Sequence, residues 1–349
     1  MMQLVINYVR DLSKWLVSGW NRFWFTPEDP ATLCVIRILA GGMLFYTHLV
    51  WSKNLEQFFL PSGWISAEAA LEMQGDNWPL SYFWLIQSPA ALWTVHIIAL
   101  AAMLCLTLGL FTRTAAVLSW IAAVSYVNRV PIAQFGLDQL NTMLALYLMI
   151  GPSGACYSLD RWLQTRRARQ QGIQPPQVEP SVSANIAIRL MQFHMCVIYF
   201  AAGLGKVQGE TWWRGDAMWG ALANLEYQSL DMTWLAAWPL VLSLLTHATV
   251  FWEMTFCVFV WVPRLRPLVL AAAVPVHLGI AFFMGMITFG LVMLFGCASF
   301  VSPRIVRMLL DHSPAEQGRG GAESPARATA QTRPLSRRPV AASRAAKRS

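Results

Sequence analysis

The sequence predicts an all-α fold: a polytopic transmembrane helical bundle of about eight spans, with both termini inside and an N-terminal interfacial helix. Three observations predict it. The 349-residue chain is 56% hydrophobic and only 13% charged, with a mean hydropathy of +0.44, whereas soluble chains average roughly 25% charged residues. Several apolar runs approach or exceed the ~20 residues that cross a bilayer as helix. Lys and Arg gather in alternate connections, as they do when one side of a membrane retains positive charge. No cleavable signal is expected, because the first apolar run starts near residue 31, behind a charged amphipathic segment.

Residues 1–24 form the interfacial helix. Leu4, Val5, Tyr8, Leu12, Trp15, Leu16, Trp20 and Phe23 recur at helical spacing with Arg10, Lys14 and Arg22 between them. That pattern fits a helix lying on an anionic leaflet. Pro27-Glu28-Asp29-Pro30 breaks it, and Asp29 stands where it can cap the next helix. Residues 25–307 form the transmembrane domain. Its first span runs from Ala31 to Trp51, with Arg37 inside it. Residues 52–89 are an acidic connection, carrying Glu56, Glu68, Glu72 and Asp76 against Lys53 alone. Pro61-Ser62-Gly63-Trp64 and the aromatic residues Trp78, Tyr82, Phe83 and Trp84 mark this connection as re-entrant or interface-hugging.

The second span covers Ala90–Phe111 and the third Ala115–Val127, joined by a tight hairpin at Thr112-Arg113. Asp138, Gln139 and Asn141 open the fourth, Leu140–Ile150, which is short for a crossing and is expected to lie within protein. A basic loop follows from Ser158-Leu159-Asp160, irregular and partly extended at Pro175, Pro176 and Pro180. The fifth span is Ile186–Lys206, the sixth Trp238–Val262, the seventh Leu268–Met284 and the eighth Thr288–Val301. Residues 308–349 form a basic tail without apolar period, expected to be disordered. From Arg304 on there are ten Lys and Arg against Asp311, Glu316 and Glu323. The formal charge of +8 therefore sits mostly in this tail and is not a nucleic-acid footprint. The charge pattern puts residues 152–185 and both termini in the cytoplasm, and 52–89 and 207–237 outside the plasma (inner) membrane. All six cysteines lie in or at the edges of apolar runs, so neither a disulfide framework nor a thiolate metal site is indicated.

Ionisable groups within spans are functional candidates by default. They are Arg37, His48, His96, Arg189, His194, His247, Glu253 and His277, with Lys206 at the end of Tyr199-Phe-Ala-Ala-Gly203-Leu-Gly205-Lys206. A lysine, a glutamate and a histidine converging from three spans would make a site that moves protons. Gly203 and Gly205 would admit other backbone or a flat ligand, with Trp212 and Trp213 just beyond. Each residue also has a structural reading. Lys206 and Arg189 can snorkel to an interface, Asp29 and Arg37 can pair, and Glu253 and His277 can form a buried polar pair. Asp138 and Asn141 can cap a helix, and the remaining histidines can bond neighbouring backbone. No histidine pair at i, i+4 and no ligand cluster points to a metal.

Four stretches resemble the HTTM family, the membrane domain shared with vitamin K-dependent γ-glutamyl carboxylase. Asp29-Pro-Ala-Thr-Leu-Cys-Val-Ile-Arg37-Ile-Leu-Ala-Gly41 is similar to its opening, and Tyr157-Ser-Leu-Asp160 to its aromatic-Ser-x-Asp. Tyr199 to Lys206, followed by Trp212 or Trp213 and Gly215, is similar to its Tyr-Phe-x-Ala-Gly-x-x-Lys segment. His277 with Phe289 resembles its His…Phe segment. The resemblance covers roughly residues 22–305. It implies a base at Lys206 that deprotonates a reduced quinone, menaquinone or vitamin K-like or a ubiquinol. It also implies His277 as hydrogen-bond partner of quinone oxygens and Glu253 as a family acidic position. The carboxylase carries two adjacent lysines where this chain has Gly205-Lys206, and a histidine where the fourth span here opens with Asp138, Gln139 and Asn141. Its large peptide-engaging region has no counterpart after residue 307. The expectation is therefore a quinol-dependent oxygenation or related modification, with membrane lipids and a small peptide or quinone as partners and no nucleic acid. The alternative is a non-enzymatic membrane protein that handles a small peptide or lipid.

Overall fold

The computed structural model describes residues 1–75 and 78–311; Asp76 and the tail from residue 312 lie outside the described residues. Helix α1 spans Met2–Phe25, and α2 spans Ala31–Trp51. Two short helices follow in the connection, α3 (Leu55–Phe59) and α4 (Ala67–Gln74). Then come α5 (Pro89–Leu108), α6 (Thr112–Arg129), α7 (Gly136–Ile150) and α8 (Leu159–Gln170). The long α9 (Val182–Val207) leads into α10 (Glu210–Arg214) and α11 (Ala217–Leu222). The chain closes with α12 (Pro239–Phe259), α13 (Arg266–Phe283), α14 (Ile287–Cys297) and α15 (Pro303–Leu310). Among the described residues the β-type pairing is one isolated bridge, Glu28 with Ser181.

Five stretches are long and apolar enough to cross a membrane: Ala31–Phe59, α5, α9, α12 and α13. A sixth is reached if Ile287–Phe300 and α15, bent by 110° at their junction, count as one. Helix α2 starts and stops where the hydropathy pattern puts the first span, and the helices over the other expected spans shift by a few residues at their ends, but α6 and α7, over the expected third and fourth, are not among these candidates. The basic loop is not irregular at its start, because α8 occupies it. Ser158 accepts a hydrogen bond from the Arg161 amide at 3.0 Å, Asp160 sits in the first turn, and Arg167 and Arg169 sit in the last, each favoured by the helix dipole. A helix of that composition has no apolar stripe to find.

Two apolar cores share α2 and α7. One gathers Leu33, Leu144, Met191, Met195, Tyr199 and Phe256 from α2, α7, α9 and α12, and the other gathers Leu44, Phe59, Phe83, Met103 and Tyr126 from α2 to α6. The acidic connection is fastened to the bundle by the buried Arg129, whose Nη2 donates to the carbonyls of Leu60 and Ile65, each at 2.9 Å. Its guanidinium also lies 5.6 Å from the Trp84 ring centroid.

Asp29 and Arg37 are not a pair. Asp29 accepts from the Ala31 amide at 2.9 Å, as its capping position predicts, and its carboxylate is bound by Arg307 of α15 at 3.0 and 3.1 Å. Arg37, two turns along α2, is fully buried and donates from Nη2 to the Tyr157 carbonyl at 2.6 Å. The reach from the helix start to a residue two turns inside is bridged on each side by a nearer partner. Arg189 reaches α1: its guanidinium lies 4.6 Å from the Phe23 ring and 5.9 Å from the Trp261 ring, a cation–π arrangement. Asn185 fixes α1 to α9 through hydrogen bonds to the carbonyls of Phe23 and Trp24 at 2.8 and 2.9 Å.

Asp160 ties the turn between α5 and α6. It accepts from the amides of Phe111 and Thr112 at 2.9 Å and from the Thr112 hydroxyl at 2.8 Å. Phe111 and Tyr157 both adopt φ near +50°, sparsely allowed for side chains of this size; Phe111 is held by its bond to Asp160 and Tyr157 by the Arg37 bond to its carbonyl. Gly109 (φ +71°) is required twice over, since a Cβ there would also overlap the Arg37 guanidinium and Ser158. Burial pushes the Asp160 carboxyl up, but the bonds from Thr112 and Phe111, with Arg37 beside them, outweigh it and hold the carboxyl below its ordinary value of 3.8.

Asp160→Ala is expected to lower stability by roughly 0.5–2 kcal/mol, as losses of helix caps do, read as a lower unfolding midpoint in detergent. Because the folded pKa is depressed, the stabilisation is complete above pH 3.8 and is lost as pH falls through the lower folded value. A wild-type midpoint that runs parallel to that of Asp160→Ala through this acid range contradicts the assignment.

Candidate functional site

Three residues of α9 share one face at helical spacing: Tyr199, Gly203 and Lys206. Gly203 is where α9 and α12 come closest. A Cβ there would meet the Met254 backbone nitrogen and side chain at 2.9–3.1 Å, so this glycine makes room for a helix and not for a ligand. Gly205 points the other way, and a Cβ on it would meet nothing within 4 Å. The close approach brings Lys206 onto Glu253. Nζ lies 2.9 Å from Oε1 and 2.7 Å from Oε2, with the lysine side chain 24% exposed and the glutamate 11%. Trp212 covers the amine, its ring centroid 5.3 Å from Nζ. Trp213 is largely exposed and donates from its indole to the Val207 carbonyl at 2.6 Å.

The pair does not sit at the mouth of α12. Glu253 is fourteen residues past Pro239, about 21 Å along the helix at 1.5 Å per residue. The first turns of α12 are lined by the segment after α9. The Met218 amide donates to Thr246 Oγ1 at 3.2 Å, and His247 Nε2 lies 3.3 Å from the Trp213 carbonyl.

His277 does not reach Lys206 or Glu253. Its Nε2 bonds the Tyr199 hydroxyl at 2.6 Å, and the same hydroxyl contacts Cys297 Sγ at 3.2 Å. Tyr199 is seven residues before Lys206, about 10 Å along α9. Its ring packs on Trp252 and Phe256 with centroids 4.9 and 4.2 Å away. The expected convergence is therefore half realised. Lys206 and Glu253 meet, while His277 joins the same helix face through a tyrosine that the sequence shows only as the start of the motif. Glu253 and His277 are not partners of each other, because Tyr199 and Lys206 each offer a nearer bond.

The other sequence-level candidates are dispersed. Asp29, Arg37 and Asp160 lie in the structural contacts described above. Asp138 accepts from the Phe135 amide at 2.9 Å and caps α7; Asn141 does not cap it. His48 and His247 bond backbone one turn earlier, at Leu44 and Ser243, each at 2.8 Å. His96 and His194 instead meet hydroxyls: Tyr126 and Ser52 at 2.5 and 2.7 Å for His96, and Tyr147 at 3.1 Å for His194. Among the described residues no group of three His, Cys, Asp or Glu is placed to hold a metal ion.

A family model described as the HTTM domain matches residues 25–304 of the chain. No curated protein and no solved structure matches it.

Removing one member of a buried ion pair strands the other, so the two single variants are expected to differ. Lys206→Ala leaves the more buried carboxylate unpaired and should lower stability by roughly 1–3 kcal/mol, discounted from the 3–5 kcal/mol of fully buried pairs for the exposure of the lysine. Glu253→Gln should lower it less, because the lysine stem lets the ammonium turn to water. Equal unfolding midpoints in detergent for the two variants would contradict a desolvated pair.

Proposed function

The chain belongs to the HTTM family, and from that premise we propose a quinol-dependent membrane enzyme in which Lys206 is the base. The eight helices α2, α5, α6, α7, α9, α12, α13 and α14 are its spans, in the plasma (inner) membrane with both termini cytoplasmic and α1 on the inner leaflet. The alternating Lys and Arg supports that topology. The observation that carries the functional reading is the partly exposed Lys206 amine held against Glu253 beneath Trp212.

A reduced quinone fits this residue set. An amine, a carboxylate and an indole face stand together. Such a group supplies a weakly acidic hydroxyl and two reducing equivalents. Lys206 and Glu253 supply the proton chemistry. A lysine is a base only when neutral. Glu253 can take a proton from the ammonium onto an oxygen 2.7 Å away, leaving an uncharged amine and an uncharged acid. Nζ can then accept a proton from a hydroxyl brought beside it. Tyr199 and His277 form a second polar point farther along α9, suited to orienting an oxygen and not to removing its proton.

The closed ion pair favours a second reading. With Lys206 satisfied by Glu253 and His277 by Tyr199, the same residues can instead fix helix packing around a bound small peptide or lipid without turnover. Lys206→Arg separates the two. Arginine keeps the charge and can still bind Glu253, but its guanidinium does not deprotonate in proteins. In the enzyme reading, quinol oxidation or epoxidation in nanodiscs falls about 100-fold or more, while expression and unfolding midpoint stay near wild type. Retained turnover removes Lys206 as base. A wild-type protein that yields no quinone product and co-purifies with a peptide or lipid supports the binding reading.

A further inference from the structure

A cavity of about 20 Å³ lies among α2, α6 and α7, walled in part by Thr47, His48, Tyr126, Gln134, Asp138 and Asn141. One water needs roughly 10–15 Å³ measured with a water-sized sphere. The space therefore suits a group of one oxygen and excludes a ring. Two of its walls carry buried polar atoms without partners, His48 Nε2 and Asn141 Oδ1, on residues that are 5% and 2% exposed.

The protonation of His48 follows from its other nitrogen. Nδ1 lies 2.8 Å from the Leu44 carbonyl, and a carbonyl only accepts, so Nδ1 carries the hydrogen. Nε2 is then a lone pair in the cavity wall. Other lining groups also offer acceptors. Thr47 spends its hydroxyl hydrogen on the Met43 and Leu44 carbonyls at 3.0 and 3.1 Å, and Thr142, which also lines the space, spends its own on the Asp138 carbonyl at 2.7 Å. The Gln134 amide donates to the Val127 carbonyl. The Tyr126 hydroxyl is engaged by His96. A carbonyl or an anion entering here would meet oxygen and nitrogen lone pairs. An O–H meets an acceptor for its hydrogen at His48 Nε2, and the second hydrogen of a water meets Asn141 Oδ1; for the hydroxyl of a larger molecule the Asn141 amide group, turned over, donates to the oxygen.

We propose that this cavity binds a single hydroxyl group the size of water, which donates to His48 Nε2 and is held by the Asn141 side chain. The hydroxyl comes either from solvent or from the end of a larger molecule that reaches in. The site is separate from the Lys206–Glu253 pair and stands whether or not that pair is catalytic.

Full-length protein with 15N-labelled histidine in phosphatidylcholine–phosphatidylglycerol nanodiscs tests it, with His48→Gln used to assign the signal. The expected spectrum has His48 protonated at Nδ1 and its Nε2 resonance shifted upfield to the position of a hydrogen-bonded acceptor. Magnetisation exchange with bulk water protons identifies water. The same upfield position without exchange, together with a hydroxylated compound in an organic extract, identifies the larger molecule. In folded Asn141→Leu the Nε2 resonance should move toward the free-acceptor position, and an unmoved resonance overturns the role of Asn141. A free-acceptor position in wild type, or a ring protonated at Nε2, overturns the proposal without any variant.

Discussion

The ion pair between Lys206 and Glu253 governs how α9 lies on α12. Lipid tails are as apolar as leucine, so helices in a bilayer gain little by hiding apolar faces from one another, and close packing and polar contacts must join them. Gly203 supplies the close packing by admitting Met254 to contact. Lys206 and Glu253 supply the polar contact one turn further on. Neither charge is tolerable there alone, since an unpaired ionised group away from water costs several kcal/mol. The pairing therefore fixes rotation and register together. A turn of α9 about its axis would separate the charges and drive the Gly203 face off Met254 at once. With that register set, Tyr199 falls between Trp252, Phe256 and His277, and the buried His277 of α13 has its hydrogen bond.

Five spans were legible because a bilayer demands about twenty apolar residues and the chain supplies them in runs bounded by Pro, Gly and Arg. The first span is the clearest case: Pro30 and Asp29 start α2 where the pattern puts it. The short elements were not legible. Helix α8 is held by a serine cap and a charge gradient with no apolar face, and α10 and α11 owe their place to bonds with Thr246 and His247 of α12, 28 and 34 residues further on. Partners were less legible still. Placing Asp29 with Arg37 used only separation along one helix. The bonds actually formed go to Arg307 and to Tyr157, 278 and 120 residues away, and no local pattern carries that information. The lysine–glutamate meeting was readable in outline because both stand where charge is expensive. The tyrosine that takes His277 was hidden by its being an ordinary core residue type.

The motif residues divide by what they touch. Asp29, Arg37 and Asp160 are joined to helix starts, a strained turn and a carbonyl, and each of these contacts closes a gap between segments. Substitution there acts first on folding. Lys206 is different in kind, because half of its surroundings is a neighbouring charge and the rest is an indole face and partial exposure. Holding it inward on a carboxylate keeps a proton donor and a proton acceptor within one hydrogen bond of each other.

Helix α7 divides the polar chemistry of the bundle. Leu140, Leu144 and Leu148 face the core that contains Tyr199 and Phe256, whereas Asp138 and Asn141 line the cavity shared with α2 and α6. Residues 140, 144 and 148 form one stripe at helical spacing, and 138, 141 and 145 form another. That arrangement puts His48 and the Tyr199 core on different faces of α7. The two sites differ in kind: one is an ion pair between two helices, the other a cavity walled largely by acceptors, whose occupant must bring its own hydrogen.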